Sequence, residues 1–285
     1  MSFLLLASMT SSTLAQPAAS VSSNELCVMT YNLRYASDTP PNAWPARRPL
    51  MRELILQAHP DVMGTQEGLT AQLADLASDL PDYGWIGEGR EGGKRGEYAA
   101  VFYLKSRLEP LDSGRFWLSD TPEKVGSITW GTSLPRMATW VKFRDRLAHR
   151  EFYFFNTHFD NAVAVAREKS ATLVRQRIAA LKTDLPVLLV GDFNAGAGRE
   201  AAYDILTKDG YFKDTWQTAS ERQGEGLGTF NDFKEVPHDG ERIDWILTRG
   251  AVTADRIEIL TFSRDGQFPS DHCPVRAQLY WGVAK

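Results

Sequence analysis

The stretch VLLVGDFN, Val187 to Asn194, decides how the rest of the chain is read. Val187 to Val190 is the most apolar strand-like run of the sequence, and it closes on the charged Asp192. Before it lies a helical stretch, Val163 to Leu181. Before that, Thr139 to Phe143 and Phe152 to Asn156 read as an antiparallel pair about the polar turn Arg144 to Arg150, with His158 just past the second strand. Further out, LCVMTYNL, Leu26 to Leu33, is a buried strand carrying Asn32 near its end. Leu50, Leu54 and Ile55 then give helical spacing over Arg48 to Ala58, which Pro60 ends. Asp61 to Gln66 is a second short strand terminating at Glu67, and Leu69 to Leu80 is again helical, stopping before Pro81. Tyr98 to Leu104 follows a turn rich in glycine (Gly92, Gly93, Gly96), and Ile243 to Leu247, Arg256 to Leu260 and Val275 to Tyr280 supply further strands. Hairpins mixed with helix-connected strands predict an α/β protein with mixed sheets.

Composition narrows the function classes. The chain has 285 residues, 43% hydrophobic and 24% charged, which is ordinary for a globular protein with a substantial core. No linker, low-complexity tract or solenoid-period repeat interrupts it after Asn24, so a single domain over residues 24–282 is expected. The net charge is -4 and the basic residues are scattered, which weakens a nucleic-acid reading without removing it, because a bound cation inverts the local field. Cys27 and Cys273 are the two cysteines, too few for a disulfide framework or a Cys-ligated zinc site. Buried thiols are the favoured reading, with a single bridge open if their strands are neighbours. Residues 1–20, with apolar Phe3 to Ala7 and a cleavage-like site near Ala15, resemble a secretory signal without a basic start, the alternative being a disordered tail. Export to the periplasm or outside the cell is therefore expected. No later run approaches the roughly 20 apolar residues needed to cross a membrane, and a monomer is expected.

The informative feature is where polar residues fall. Asn32, Glu67, His158, Asp192 and Asn194 each lie at or just beyond a strand end, and strand ends converging on one edge make a site. Singly, each has a dull explanation as a turn residue or a solvated loop carboxylate. Together they fall in the first four of six ordered motifs: TYNLR (Thr30 to Arg34), TQEG (Thr65 to Gly68), NTHFDN (Asn156 to Asn161), GDFNA (Gly191 to Ala195), RIDWIL (Arg242 to Leu247) and SDHCPV (Ser270 to Val275). The set resembles the endonuclease/exonuclease/phosphatase superfamily, with DNase I-like fold, over nearly the whole chain from Asn24 to Leu279. GEYAAVFY (Gly96 to Tyr103), GRFWLSDTPE (Gly114 to Glu123) and PRMATW (Pro135 to Trp140) resemble a bacterial branch with loosely defined substrates. The resemblance implies a four-layer α/β sandwich, two packed mixed β-sheets flanked by helices, with the site at one end of the sheets.

It also implies roles. Phosphoester hydrolysis needs a hard cation and an activated water. Glu67, with Asn32 and Asp271, would hold Mg2+, with Mn2+ or Ca2+ as alternatives. Asp192 would orient or deprotonate the water, and Asn194 would hydrogen-bond a phosphoryl oxygen or the nucleophile. His272, oriented by Asp244, would contact the phosphate or take the water's proton. His158, with Glu97 as its carboxylate partner, would stabilise the phosphate or protonate the leaving oxygen. Which histidine is acid and which is base stays open, and His59, His149 and His238 read as surface or loop residues. Arg136, Asp160 and Asn161 are candidates for the pocket lining, though a surface ion pair explains Arg136 equally well. Trp117, Trp130, Trp140 and Trp245 could stack on a ligand or fill the core, and Trp130, in a loop-like stretch, ranks first for the pocket.

The leading expectation is a metal-dependent phosphodiesterase or phosphomonoesterase acting on a small-molecule or lipid-headgroup phosphoester. The alternatives are an exported nuclease acting on DNA or RNA and a binding scaffold whose catalytic residues have decayed. Substrate choice should lie in the loops Ser37 to Trp44, Gly87 to Glu97, Ser119 to Pro135 and Gln217 to His238.

Overall fold

The computed structural model describes residues 23–282, so the signal-like residues 1–20 lie outside the described residues. The strands are β1 (Glu25–Asn32), β2 (Val62–Gly68), β3 (Tyr83–Ile86), β4 (Tyr98–Leu104), β5 (Leu108–Trp117), β6 (Met137–Asp145), β7 (Arg150–His158), β8 (Val187–Asp192), β9 (Lys213–Asp214), β10 (Glu221–Gln223), β11 (Asp244–Arg249), β12 (Val252–Ile259) and β13 (Val275–Trp281). The helices are α1 (Trp44–Ala58), α2 (Thr70–Asp79), α3 (Ala164–Ala180), α4 (Ala201–Thr207) and α5 (Thr215–Thr218). Among the described residues no helix is long and apolar enough to cross a membrane.

The strands form two mixed sheets, one ordered β10-β12-β13-β1-β2-β4-β3 and the other β5-β6-β7-β8-β11-β9. Parallel pairs need a long crossover, and α1 supplies it between β1 and β2 as α3 does between β7 and β8. Side-chain alternation sorts the core into three slabs. Leu26, Val28, Val62, Val101, Phe154, Leu188, Val190 and Ile246 meet between the sheets. Met29, Tyr31 and Met63 turn outward against Met51, Leu54 and Leu73 of α1 and α2. Phe155, Leu189 and Leu247 turn outward on the other sheet against Val174 and Ile178 of α3 and Leu206 of α4. The result is the four-layer α/β sandwich that the motifs imply.

The structure extends the sequence reading in places. Helix α1 begins at Trp44, with Pro45 in its first turn, where a missing N–H costs nothing, and it accommodates Pro49 further on. The expected hairpin runs longer, over Met137–Asp145 and Arg150–His158. Strand β5 has no sequence signal, because it is an edge strand holding Pro110, Gly114 and a register shift. Cys27 and Cys273 are free, buried thiols. Their strands do adjoin, but Cys27 opposes Gln278 while Cys273 precedes Val275, the partner of Thr30, so the two sit at different levels of the sheet.

Candidate active site

The inter-sheet slab turns polar at one edge, by simple continuation of strand parity. Asn32 follows Leu26, Val28 and Thr30 on the inward face of β1, and Asp192 follows Leu188 and Val190 on β8. His158 ends β7, and in register it stands opposite Asp192, as does Asp244 at the start of β11. The sheets face each other strand for strand: β13 on β11, β1 on β8, β2 on β7, β4 on β6. Each facing pair contributes side chains to one cleft of about 340 Å³, whose lining includes Glu67, Glu97, Arg136, Asn161, Asn194 and Asp271.

Glu67 enters by a local distortion. The β2–β4 register shifts between Thr65 and Gly68, and Glu67 takes a left-handed φ of 63°, which re-aims its side chain. Asn156 supports the bulge from the other sheet by donating to the carbonyls of Thr65 and Ala100, both at 2.8 Å. Gln66 donates in turn to Asn156 at 2.7 Å and to Thr30 at 3.1 Å, so a buried polar layer underlies the cleft floor. A Cβ on Gly64 would meet Val190 at 2.5 Å and Asn156 at 2.7 Å, so glycine is what lets the sheets approach here.

Asn32 Nδ2 donates to Glu67 Oε1 (3.1 Å) and to Asp192 Oδ2 (2.9 Å), joining the sheets at the cleft floor. His272 sits between two carboxylates, Nδ1 donating to Asp244 at 3.0 Å and Nε2 lying 3.8 Å from Asp192. Burial opposes charging that ring, but Asp244 and Asp192 outweigh it and hold its pKa at about 10. Burial, with Asp244 adding repulsion, pushes Asp192 up to about 7. His158 is the opposite case: buried, with Arg136 Nη1 at 3.1 Å from its Nε2, it is kept neutral first by desolvation and then by the guanidinium. The two histidines are thus differentiated by their surroundings, one bracketed by anions and the other set against a cation.

Other expected roles fall differently. Glu97 does not reach His158; both its oxygens accept from Arg90, at 2.7 and 3.0 Å. A flexible carboxylate beside a planar guanidinium settles into the bidentate pair, which leaves His158 to Arg136 and to Asp192 at 3.5 Å. Arg136 is buried rather than superficial, donating to Asn161 at 3.0 Å and facing Asp160 at 3.4 Å. Asp160 stays behind it, its Oδ1 accepting from the backbone of Ala162 and Val163 at the start of α3. Trp130 does not line the cleft: its Nε1 donates to Asp120 at 2.7 Å and its ring lies under Lys169, on a separate surface depression. Trp245 is wholly buried and stacks on Phe193 at 4.2 Å. Asn194 has a left-handed φ of 49° and anchors through its backbone to Asp192 at 2.9 Å and through Nδ2 to the Phe159 carbonyl at 3.1 Å. Three catalytic candidates, Asp192, Asp244 and His272, bring ligand atoms within 4.8 Å of one another and could hold a cation.

A profile of the Endonuclease/Exonuclease/phosphatase family matches residues 29–272, nearly all of the described chain. The chain belongs to that family. Among solved structures of the family, an endonuclease/exonuclease/phosphatase from Bacteroides vulgatus is 36% identical with a TM-score of 0.85, covering 90% of this chain and 99% of its own. The mannosyl-6-phosphatase of Bacteroides thetaiotaomicron is 34% identical with a TM-score of 0.85, covering 90% and 100%. An uncharacterised protein of Acanthamoeba polyphaga mimivirus is 29% identical over 159 residues, which span 53% of this chain and 59% of the viral protein.

In this family member the site also includes residues to which the sequence reading gives no role. Arg34, at the end of TYNLR, places Nη1 3.9 Å from Glu67 and 3.5 Å from Asp271 and lies over the Tyr35 ring. Arg90 lines the cleft from the glycine-rich turn. Arg47 in α1 is 0% exposed and donates to the carbonyls of Leu33, Arg34, Tyr35, Asn42 and Pro269, clamping the loops that carry Arg34 and Asp271. Nothing in its sequence context marks it: it stands just before the helix expected from Arg48, and arginine is ordinarily solvated.

Proposed function

We propose that the chain is a divalent-metal-dependent phosphomonoesterase acting on a small phosphorylated molecule. The observation that carries this reading is the cleft itself: one compact depression between two sheets, in which Arg34, Arg136 and the bracketed His272 supply positive groups for a single dianionic ester. The net charge of -4 and the scattered basic residues give a polynucleotide no extended track, which sets the nuclease reading second. The family relative that acts as a mannosyl-6-phosphatase, similar over 90% of this chain, supports a monoester. Filled motif positions leave the decayed-scaffold reading without support.

Glu67 and Asp271 fit a hard cation, whereas Asn32 turns its amide nitrogen to Glu67 and its Oδ1 accepts from the Arg34 N–H at 2.9 Å, so it positions Glu67 rather than ligating. Both carboxylates face one positive group already, the Arg34 guanidinium, and oxygen donors suit Mg2+, with Mn2+ or Ca2+ as alternatives. In the second cluster Asp244 is already engaged by His272 Nδ1 at 3.0 Å, which makes that cluster the second choice for the cation. When bound, the cation would neutralise charge on the phosphoryl oxygens. Asp192, fixed by Asn32 and by the Asn194 backbone, would take a proton from water. The His272 imidazolium, oriented by Asp244, donates to the phosphoryl group as negative charge grows there. His158, kept neutral, and the Arg136 guanidinium beside it would orient the ester.

The test is turnover of p-nitrophenyl phosphate and hexose phosphates against bis-p-nitrophenyl phosphate and plasmid DNA, with Mg2+ and with chelator. Monoester turnover should exceed diester turnover and vanish with chelator. Plasmid nicking without monoester turnover would overturn the reading in favour of the nuclease.

A further inference from the structure

The cleft has two chemically distinct ends. At one, β1 faces β8 and β11 faces β13, and there Asn32, Asp192, Asp244 and His272 gather. At the other, β4 faces β6, and Glu97, just before β4, shares the cleft wall with Arg136, just before β6, and with Arg90. In the sheet order β1-β2-β4, Glu97 stands two strands from Asn32, roughly 10 Å at the usual strand spacing. Glu97 thus stands off the Asn32 and Asp192 floor, one strand beyond Glu67, on the wall past the proposed cation site.

Glu97 is also built as a recognition group. Its parity continues the inward residues Ala99 and Val101, so it points into the cleft. Arg90 occupies one lone pair on each carboxylate oxygen, at 2.7 and 3.0 Å, leaving the others to accept hydroxyl donors. Arg90 is itself buried, its carbonyl accepts from Trp117 Nε1 at 2.7 Å, its N–H donates to the Glu97 carbonyl at 2.9 Å, and its Nε is a buried donor with no protein acceptor. The pair is therefore rigid and only partly satisfied. Such a desolvated polar pair rejects a ligand that leaves it unpaired and favours one that supplies hydroxyls.

We propose that Glu97, held by Arg90, reads hydroxyl groups on the leaving group and selects a phosphorylated sugar or polyol over an alkyl or aryl phosphate. This rests on the phosphomonoesterase reading above. The experiment is kcat/KM of the full chain and of its Glu97→Gln and Glu97→Ala variants on hexose 6-phosphates and on p-nitrophenyl phosphate, with thermal melts to check folding. In the wild type the best hexose phosphate should be preferred over the aryl ester. That preference ratio should fall about 100-fold in Glu97→Ala, the scale of a buried polar contact left unmade, and by less in Glu97→Gln, which keeps a carbonyl acceptor. An unmoved ratio in folded variants, whether both activities drop together or neither does, would overturn the assignment alone. Wild-type protein that turns over neither monoester would overturn the phosphomonoesterase reading and the Glu97 assignment with it.

Discussion

Asn32 and Asp192, 160 residues apart in sequence and on different sheets, are joined by a 2.9 Å hydrogen bond at the floor of the cleft. The same amide nitrogen reaches Glu67, so one side chain sets the spacing between the proposed proton acceptor and the proposed cation ligand. Replacing Asn32 by Ala should lower kcat/KM by about 10²-fold, the scale of a small misplacement of reacting groups, with an unchanged far-UV circular dichroism spectrum. Steady-state kinetics on the best monoester would check it, and a change below threefold would remove Asn32 from this role.

Cation placement separates two clusters of ligands. Glu67→Gln and Asp271→Asn should abolish the rise in Tm that Mg2+ or Mn2+ produces, because N-state binding stabilises in proportion to affinity. Asp244→Asn should retain that rise. The reverse pattern in a differential scanning experiment would move the cation to the Asp192, Asp244 and His272 cluster.

His272 carries its charge because two carboxylates bracket it, so His272→Ala should abolish turnover down to about 10⁻² to 10⁻⁴ of wild type while leaving a cooperative thermal transition. Unchanged hydrolysis would exclude it from the chemistry.

Arg47 tests the clamp beneath the loops. Its guanidinium serves five carbonyls at zero exposure, and Arg47→Met would leave several of them buried and unpaired. The expected loss is at least about 3 kcal/mol, read as a lower urea midpoint at constant m-value. A midpoint unchanged within error would show that water replaces the clamp.

Cys27 gives a pH signature remote from catalysis. Burial raises its thiol above the ordinary 9.0, against a smaller opposing pull from Arg276. The unfolded chain therefore ionises first as pH rises, the native state binds more protons in that window, and stability should fall above about pH 9. Cys27→Ala should flatten that alkaline limb in urea titrations. Native protein should not react with a thiol reagent at pH 8, and both thiols should appear on denaturation.

The fold was legible in the sequence wherever one segment signals its own structure. Apolar runs such as Leu26 to Leu33 and Val187 to Val190, each ending on a polar residue, predict both the strands and the edge at which they converge. Edge strand β5 and the short β9 and β10 bury too little to leave a pattern. Within the site, Asn32, Glu67, His158, Asp192, Asn194, Asp271 and His272 are brought to one cleft as the motif order implies. What stayed hidden depends on pairings between distant segments. Glu97 goes to Arg90 rather than to His158, and Trp130 turns to Asp120 and Lys169 rather than to the cleft. Arg47 looks like any solvated arginine until the loops close over it.

Leu134 and Phe230, each 43% exposed, border the cleft from the loops of residues 119–135 and 217–238, whereas Asn32, His158, Asp192 and Asp244 sit on strand termini. The proposed catalytic groups and the mouth thus occupy separate parts of the polypeptide. Grafting those two loops from a relative with another preference should transplant its diet onto an intact chassis, so the first libraries for retargeting this protein belong there and not among the strand ends.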